Sequence, residues 1–186
     1  EDAGWSAEGG TLHDAKGAPF RLDILLPQGS AEVQPMVDIY VEALKRLGIT
    51  PTVSLADPAQ YRQRQDNYDF DMTWILRALS LSPGNEQRLY WGAAGVSEPG
   101  SRNLMGMNSP AAEAMIDRIL AADDPAAFTA AVQALDRVLT AGRYVVPVWF
   151  AQVSRIAHDA HLHHPDRTPL YGDWPGFLPE VWWYEN

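Results

Sequence analysis

Two periods of apolar and polar residues alternate along the first half of the chain, and the switches between them mark its elements. Phe20–Leu26 reads as a strand. Val33, Met36, Val37, Tyr40, Val41, Leu44 and Leu47 then recur at spacings of three and four, the signature of an amphipathic helix. Lys45 and Arg46 suit the last turn of that helix, Gly48 suits its stop, and Pro35 belongs in its first turn. Thr50–Ala56 returns to strand character, with Val53 and Leu55 on one face. Asp57-Pro-Ala-Gln60 is a helix start, with an Asp cap, Pro at the first helical position and Gln placed to reach back; this helix ends by Asn67. From Asp69 to Leu76 the period is two again. Strand, helix, strand, helix, strand predicts an α/β fold with a mostly parallel sheet and right-handed crossovers.

The flanking pattern is less regular. Gly9-Gly10 and Lys16-Gly17 bracket Thr11-Leu12-His13, so a small hairpin or irregular segment is expected near the start. Glu1-Asp-Ala-Gly-Trp5 reads as a helix end with a glycine stop, which suggests a piece of a longer protein. Gly92 to Pro110 is a long Gly/Ser/Pro loop. Ser109-Pro110 caps a helix with Met115, Ile116, Ile119 and Leu120 inward. Asp124-Pro125 caps another, with Phe128, Ala131, Val132, Leu135, Val138 and Leu139 inward and Gly142 at its end. Tyr144–Phe150 reads as a strand, on an edge or bulged because of Pro147, and 152–157 as its extension. The tail from His158 has neither period.

Composition narrows the function classes. The chain has 186 residues, 46% of them apolar, enough for a real core. Net charge is −10 from 14 basic and 24 acidic side chains, and Lys16 and Lys45 are the only lysines. That balance argues against nucleic acid as a partner. Without cysteine there are no disulfides, thiolate metal sites or cysteine nucleophiles.

Candidate chemistry gathers in Asp69–Asn103. The strand opening this stretch runs into Ser80, Ser82, Pro83-Gly84, Asn85, Glu86, Gln87 and Arg88. A buried strand that gives way to a polar loop is where open α/β sheets hold ligands; a plain polar surface loop is the competing reading. Asp69 and Asp71 could form a carboxylate pair, but at the leading end of the strand they read better as solvated residues. Ser80 and Ser82 lack a nucleophile-elbow context and read as ligand-binding or turn hydroxyls. His158, His161, His163 and His164, with Asp159 and Asp166, could ligate zinc or nickel, and would then serve a metal-dependent or hydrolytic enzyme. Their spacing fits no metal-site pattern, and a solvated His-rich loop is preferred. Trp74, Trp91 and Trp149 are core aromatics by default, or walls of a binding cleft.

The run Ser80-Leu-Ser-Pro-Gly-Asn-Glu-Gln-Arg88, with Pro99-Gly-Ser-Arg-Asn103, Tyr144-Val-Val-Pro-Val-Trp149 and Trp182-Trp-Tyr184, resembles the C-terminal part of a family 5 extracellular solute-binding protein. Asp57-Pro-Ala-Gln-Tyr61 and Phe70-Asp-Met72 are similar to that family as well. The likeness is to its oligopeptide-binding branch and runs from Ala3-Gly-Trp5 to the end. It implies a periplasmic-binding-protein-like lobe rather than an enzyme, with no cofactor. It also implies a periplasmic or extracellular location, an oligopeptide or similar small solute as ligand, an ABC permease in the membrane as partner, and a first lobe of the same chain. Residues 1–158 would be the second, ligand-binding lobe, and 159–186 a tail returning towards the first. Arg77, Ser80, Ser82, Asn85, Glu86, Arg102, Asn103 and Trp149 are the residues expected to face the cleft between lobes. Better-known peptide binders hold the peptide amine with an Asp in the loop after this strand. No Asp lies between Arg77 and Arg88, and Glu86 is the residue placed to take that part.

Overall fold

The computed structural model describes residues 1–77, 82–150, 153, 155–167 and 182–185. The chain divides into two compact units, Glu1–Val146 and Pro147–Asn186.

The first unit opens with a hairpin of β1 (Ser6–Glu8) and β2 (Thr11–His13). It is tied down where Leu12 N–H donates to the Gly48 carbonyl at 2.8 Å. Gly48 has φ +80°, and a Cβ there would stand 2.9 Å from the Leu12 nitrogen, so position 48 needs glycine for both its conformation and the close approach.

The α/β layer follows as the pattern predicts. β3 (Arg21–Pro27), α1 (Gln34–Arg46), β4 (Thr50–Ala56), α2 (Pro58–Asp66) and β5 (Met72–Thr73) alternate, and the sheet order β4-β3-β5 is parallel throughout. Ile24, Leu25 and Leu26 of the central strand are all buried. The run is continuous rather than alternating, as for a parallel strand covered on both faces. Burial of each such side chain contributes about 1.5–3 kcal/mol. Val37 and Leu44 of α1 close on Ile24 and Leu26, with Val33, Tyr40, Val41, Val53, Met72 and Trp74 around them. Leu47, expected on this face, is the helix cap and is exposed, because the helix ends before a further turn could carry it inward. Asp57 caps α2 through the N–H groups of Ala59 and Gln60, which stabilises the start by about 1 kcal/mol.

The third strand is shorter than Asp69–Leu76. Only Met72 and Thr73 pair, opposite Ile24 and Leu25. Continuing the register would bring Ile75 opposite Pro27, which has no N–H to give. Tyr61 instead takes the next carbonyl, donating to Trp74 O at 2.7 Å, and the chain leaves the sheet with Ile75 and Leu76 exposed.

A second core is helical. α3 (Glu86–Trp91), where a loop was expected, leads into a 3₁₀ turn, Ala93–Ser97, and then to α4 (Pro110–Ala121) and α5 (Pro125–Gly142). Ser109 and Asp124 cap α4 and α5 as expected. Trp91, Met107, Ala112, Ile116, Ile119, Ala131 and Leu135 form the buried cluster; Leu120 lies at its rim and is exposed. After α5 the turn falls on Arg143, at φ +52°, rather than on Gly142.

Tyr144–Phe150 is not a strand: Tyr144, Val145, Val146, Val148, Trp149 and Phe150 are exposed, and the segment pairs with no strand among the described residues. Strand character without a neighbouring edge to bond leaves the backbone to solvent, and Pro147 removes one donor besides. The expected extension over 152–157 is likewise absent where it is described, at 153 and 155–157. In the second unit, a ladder that the tail's pattern did not predict pairs β6 (Leu162–His163) with β7 (Trp183–Tyr184) antiparallel. Trp174 and Phe177 lie outside the described residues. Among the described residues, no helix is long and apolar enough to cross a membrane.

Candidate functional site

The site lies where the chain runs out of the carboxyl end of β5. Thr73 is fixed first: its Oγ1 donates to Leu25 O at 3.1 Å and accepts from Gln65 Nε2 at 3.3 Å. Tyr61 holds the carbonyl of Trp74 next, and burial pushes its phenol above the ordinary range while the hydrogen bond to Thr73 pulls the other way. Ile75, Leu76 and Arg77 then pass along one wall of an open cavity of about 490 Å³. α2 supplies Arg62, Gln65 and Asp66 to that cavity, α3 supplies Tyr90, and the following loop supplies Gly100, Ser101, Arg102 and Leu104.

The loop owes its course to two buried anchors. Asn103 is fully buried; its Nδ2 donates to Gly92 O at 3.0 Å and Met107 O at 2.8 Å, and its Oδ1 accepts from Met107 N at 2.9 Å. Tyr68, at φ +55°, brings its hydroxyl to Gly95 O, Ser101 Oγ and Asn103 O at 2.7, 2.9 and 3.0 Å. These contacts bring Arg102 beside Arg77, whose Nη2 donates to Arg102 O at 3.3 Å. The Arg77 guanidinium lies 4.1 Å from the centre of the Tyr90 ring and 5.3 Å from that of Trp91. Burial lowers its pKa below the usual arginine value, Tyr90 offsets part of this, and the like charge of Arg102 adds to it.

Glu86 starts α3. Its Oε1 accepts from Gly84 N–H at 2.9 Å and from Gln87 Nε2 at 3.1 Å, and Gln87 Oε1 accepts from Trp91 Nε1 at 3.1 Å. Burial raises the Glu86 pKa, but donation by Gly84, Gln87 and its own backbone outweighs that, so the carboxyl titrates below the ordinary range.

Of the residues expected at the cleft, Arg77 and Arg102 are brought together on one cavity. Ser82 and Asn85 are exposed near the start of α3, and Glu86 is half-buried there with one oxygen engaged. Asn103 does not face a cleft: its amide is spent on the loop's own backbone. Trp149 belongs to the second unit, where it is exposed. Ser80 lies outside the described residues. The pattern missed Tyr61, Arg62, Tyr68 and Tyr90. The Asp57 cap does place Tyr61 and Arg62 on one helix, and that was the signal available for two of them.

The other candidates have structural partners. Asp69 pairs with Arg64 at 2.9 Å, and Asp71 Oδ2 accepts from Asp23 N–H at 2.7 Å. The tail's histidines lean on aromatic rings: His158 and His164 on Trp182 at 4.8 and 4.7 Å, His163 on Trp183 at 6.1 Å, His161 on Tyr184 at 5.7 Å. Among the described residues, no three His, Asp or Glu side chains converge as metal ligands would.

No protein-family model matches the chain. The chain is 41% identical, over 185 residues and 99% of its length, to the uncharacterized protein y4wM of Sinorhizobium fredii. It is 36% identical, over 184 residues and 98% of its length, to the probable peptide-binding protein YejA of Agrobacterium fabrum. It spans only 27% and 29% of the length of these relatives. Its fold is similar to that of the oligopeptide-binding protein AppA from Bacillus subtilis, solved with a nonapeptide, at a TM-score of 0.76 and 15% identity, covering all of this chain and 36% of that one. The chain is therefore similar, along nearly its whole length, to rather more than a quarter of each of these longer relatives, and its fold is that of a lobe of a solved oligopeptide-binding protein.

Proposed function

We propose that this chain is the ligand-facing second lobe of the substrate-binding component of an ABC importer. The component takes up oligopeptides, or related small solutes, outside the cytoplasm and passes them to a permease in the membrane. The match of the whole chain to a probable peptide-binding protein supports this most directly. The cavity at the carboxyl end of β5 supports it physically, since open α/β sheets bind ligands there. The function asked of the site is recognition rather than catalysis. Arginine, serine and tyrosine groups meet peptide backbone and termini, and ring faces supply the apolar wall. Glu86 has one carboxylate oxygen engaged by Gly84 and Gln87, and its other oxygen is the acceptor proposed for a peptide amine. In this reading 1–158 form the lobe, 159–186 return to a first lobe, and a hinge motion closes the two on the ligand.

Calorimetric titration of the complete receptor with a library of short peptides tests the reading. Saturable binding of some peptides is expected, and it should weaken in Glu86→Ala. A receptor that binds no peptide, or that hydrolyses them, would overturn it.

A further inference from the structure

We infer that His158 and His164 form a two-imidazole site for a divalent transition-metal ion, walled on one side by Trp182. The site belongs wholly to the second unit and does not depend on the reading of the first as a ligand-binding lobe. The β6–β7 ladder places one of the rings. Leu162 pairs with Tyr184 and His163 with Trp183, so the register continued by one residue sets His164 opposite Trp182. Their ring centres are 4.7 Å apart. A turn brings back the other ring. Leu162 N–H donates to Asp159 O at 3.0 Å, and His161 N–H donates to Asp159 Oδ1 at 2.8 Å. His158, next to Asp159, then meets Trp182 edge to face at 4.8 Å. The two imidazole centres are 5.8 Å apart. Two rings sharing one ion through metal–nitrogen bonds of about 2.0–2.1 Å have centres roughly 5–6 Å apart, so the spacing suits a shared ion.

The hydrogen bonds of the two rings decide which nitrogen is free. His158 Nδ1 lies 2.9 Å from Asp159 O, and His164 Nδ1 lies 2.8 Å from Pro165 O. A carbonyl oxygen only accepts, so in each neutral ring the proton sits on Nδ1 and Nε2 keeps its lone pair. A metal-ligating imidazole is held in the same way, with a backbone carbonyl fixing its tautomer. Both rings are exposed, so an ion reaches them from solvent. Among the described residues no third His, Asp or Glu converges with them, so water completes the coordination. His161 and His163 differ. Their rings lean on Tyr184 and Trp183, and His163 Nε2 stands 3.7 Å from Glu185 Oε2. Imidazole suits zinc, copper and nickel, and the general order of divalent affinities puts copper ahead of zinc.

Calorimetric titration of the chain, first stripped with a chelator, with copper(II) chloride and with zinc chloride at neutral pH tests the site. One equivalent of either ion is expected, copper the tighter. Copper should also quench part of the tryptophan fluorescence, because the ion sits beside Trp182. His158→Ala and His164→Ala should each weaken binding about tenfold or more, since losing a ligand costs at least as much as losing its outer partner. His161→Ala/His163→Ala should leave affinity and quenching as they are. Trp182→Phe should keep the stoichiometry and lose the copper-dependent quenching. Long-range nitrogen NMR on the metal-free chain gives a check that needs no variant: both rings should carry their proton on Nδ1. A proton on Nε2 in either ring would overturn the site, as would the lack of any binding. Equal losses from all four histidine substitutions would also overturn it, since the ion would then be held by a histidine-rich tail without a built site.

Discussion

Asn103 and Met107 hold each other through a closed pair of hydrogen bonds: Met107 N–H donates to Asn103 Oδ1 at 2.9 Å, and Asn103 Nδ2 donates back to Met107 O at 2.8 Å. The second amide proton of Asn103 goes to Gly92 O, so one buried side chain fixes both ends of the loop that presents Arg102. Truncation would strand one buried N–H and weaken the satisfaction of two carbonyls. We expect Asn103→Ala to destabilise the fold by about 2–4 kcal/mol, measured by urea unfolding. A loss within the range of ordinary surface substitutions would mean that the loop stands without this anchor.

Glu86 gives the fold a dependence on acid. Its carboxyl titrates below the ordinary value of 4.5 because N–H donors favour the charged form over the opposing effect of burial. A depressed folded pKa stabilises above the unfolded value and loses that contribution as pH falls through the folded one. Stability should therefore drop more steeply for the wild type than for Glu86→Gln as pH falls through and below the ordinary carboxylate value of 4.5. Parallel curves from denaturant titrations at stepped pH would show that the Gly84 and Gln87 contacts contribute no such linkage.

Local chemistry was legible where one segment decides its own structure. Asp57-Pro58, Ser109-Pro110 and Asp124-Pro125 announced three helix starts, and all three are capped as their side chains require. The parallel sheet followed from the order of the elements. The length of β5 was not legible, since it depends on Pro27 two elements away, and Tyr144–Phe150 has strand character that no described strand answers. The site shows the same division. Arg77 and Arg102 are expected at a cleft by the family resemblance, and the fold joins them across 25 positions. Asn103 is expected there by the same resemblance, yet its amide closes the loop. A polar loop residue aimed at a ligand and one aimed at its own backbone look alike until the loop's path is known. Tyr90 was hidden because the run around it was read as a loop rather than as α3.

Two glycines in this region should respond unequally to an added methyl group. A Cβ at Gly92 would collide with the Arg88 carbonyl oxygen, which is helix backbone and has little room to give. Gly92 also offers the carbonyl that Asn103 holds, so the shift would spread into the loop. Gly92→Ala should cost about 1–3 kcal/mol, as overpacking does. Gly106 meets nothing within 4 Å, but its φ of +58° is left-handed, so Gly106→Ala should cost only about 1 kcal/mol from backbone strain. Urea midpoints rank the two, and a larger loss at Gly106 would contradict the packing seen at Gly92.

The last expectation separates folding from binding. Ile24, Leu26, Ile116 and Met107 are buried within this chain, in two clusters that need no further polypeptide to form, so the isolated chain should unfold cooperatively in urea. Binding differs, because the proposed cavity is open on one side and a ligand there keeps one face in water. If a first lobe closes on that face in the complete receptor, it supplies contacts the isolated chain lacks. Losing about 4 kcal/mol of them weakens binding roughly a thousandfold. We therefore expect a peptide that saturates the complete receptor to show little or no heat with this chain alone at the same concentrations. Equal affinity for both would place the whole site on this lobe, and closure by a second lobe would then contribute nothing to recognition.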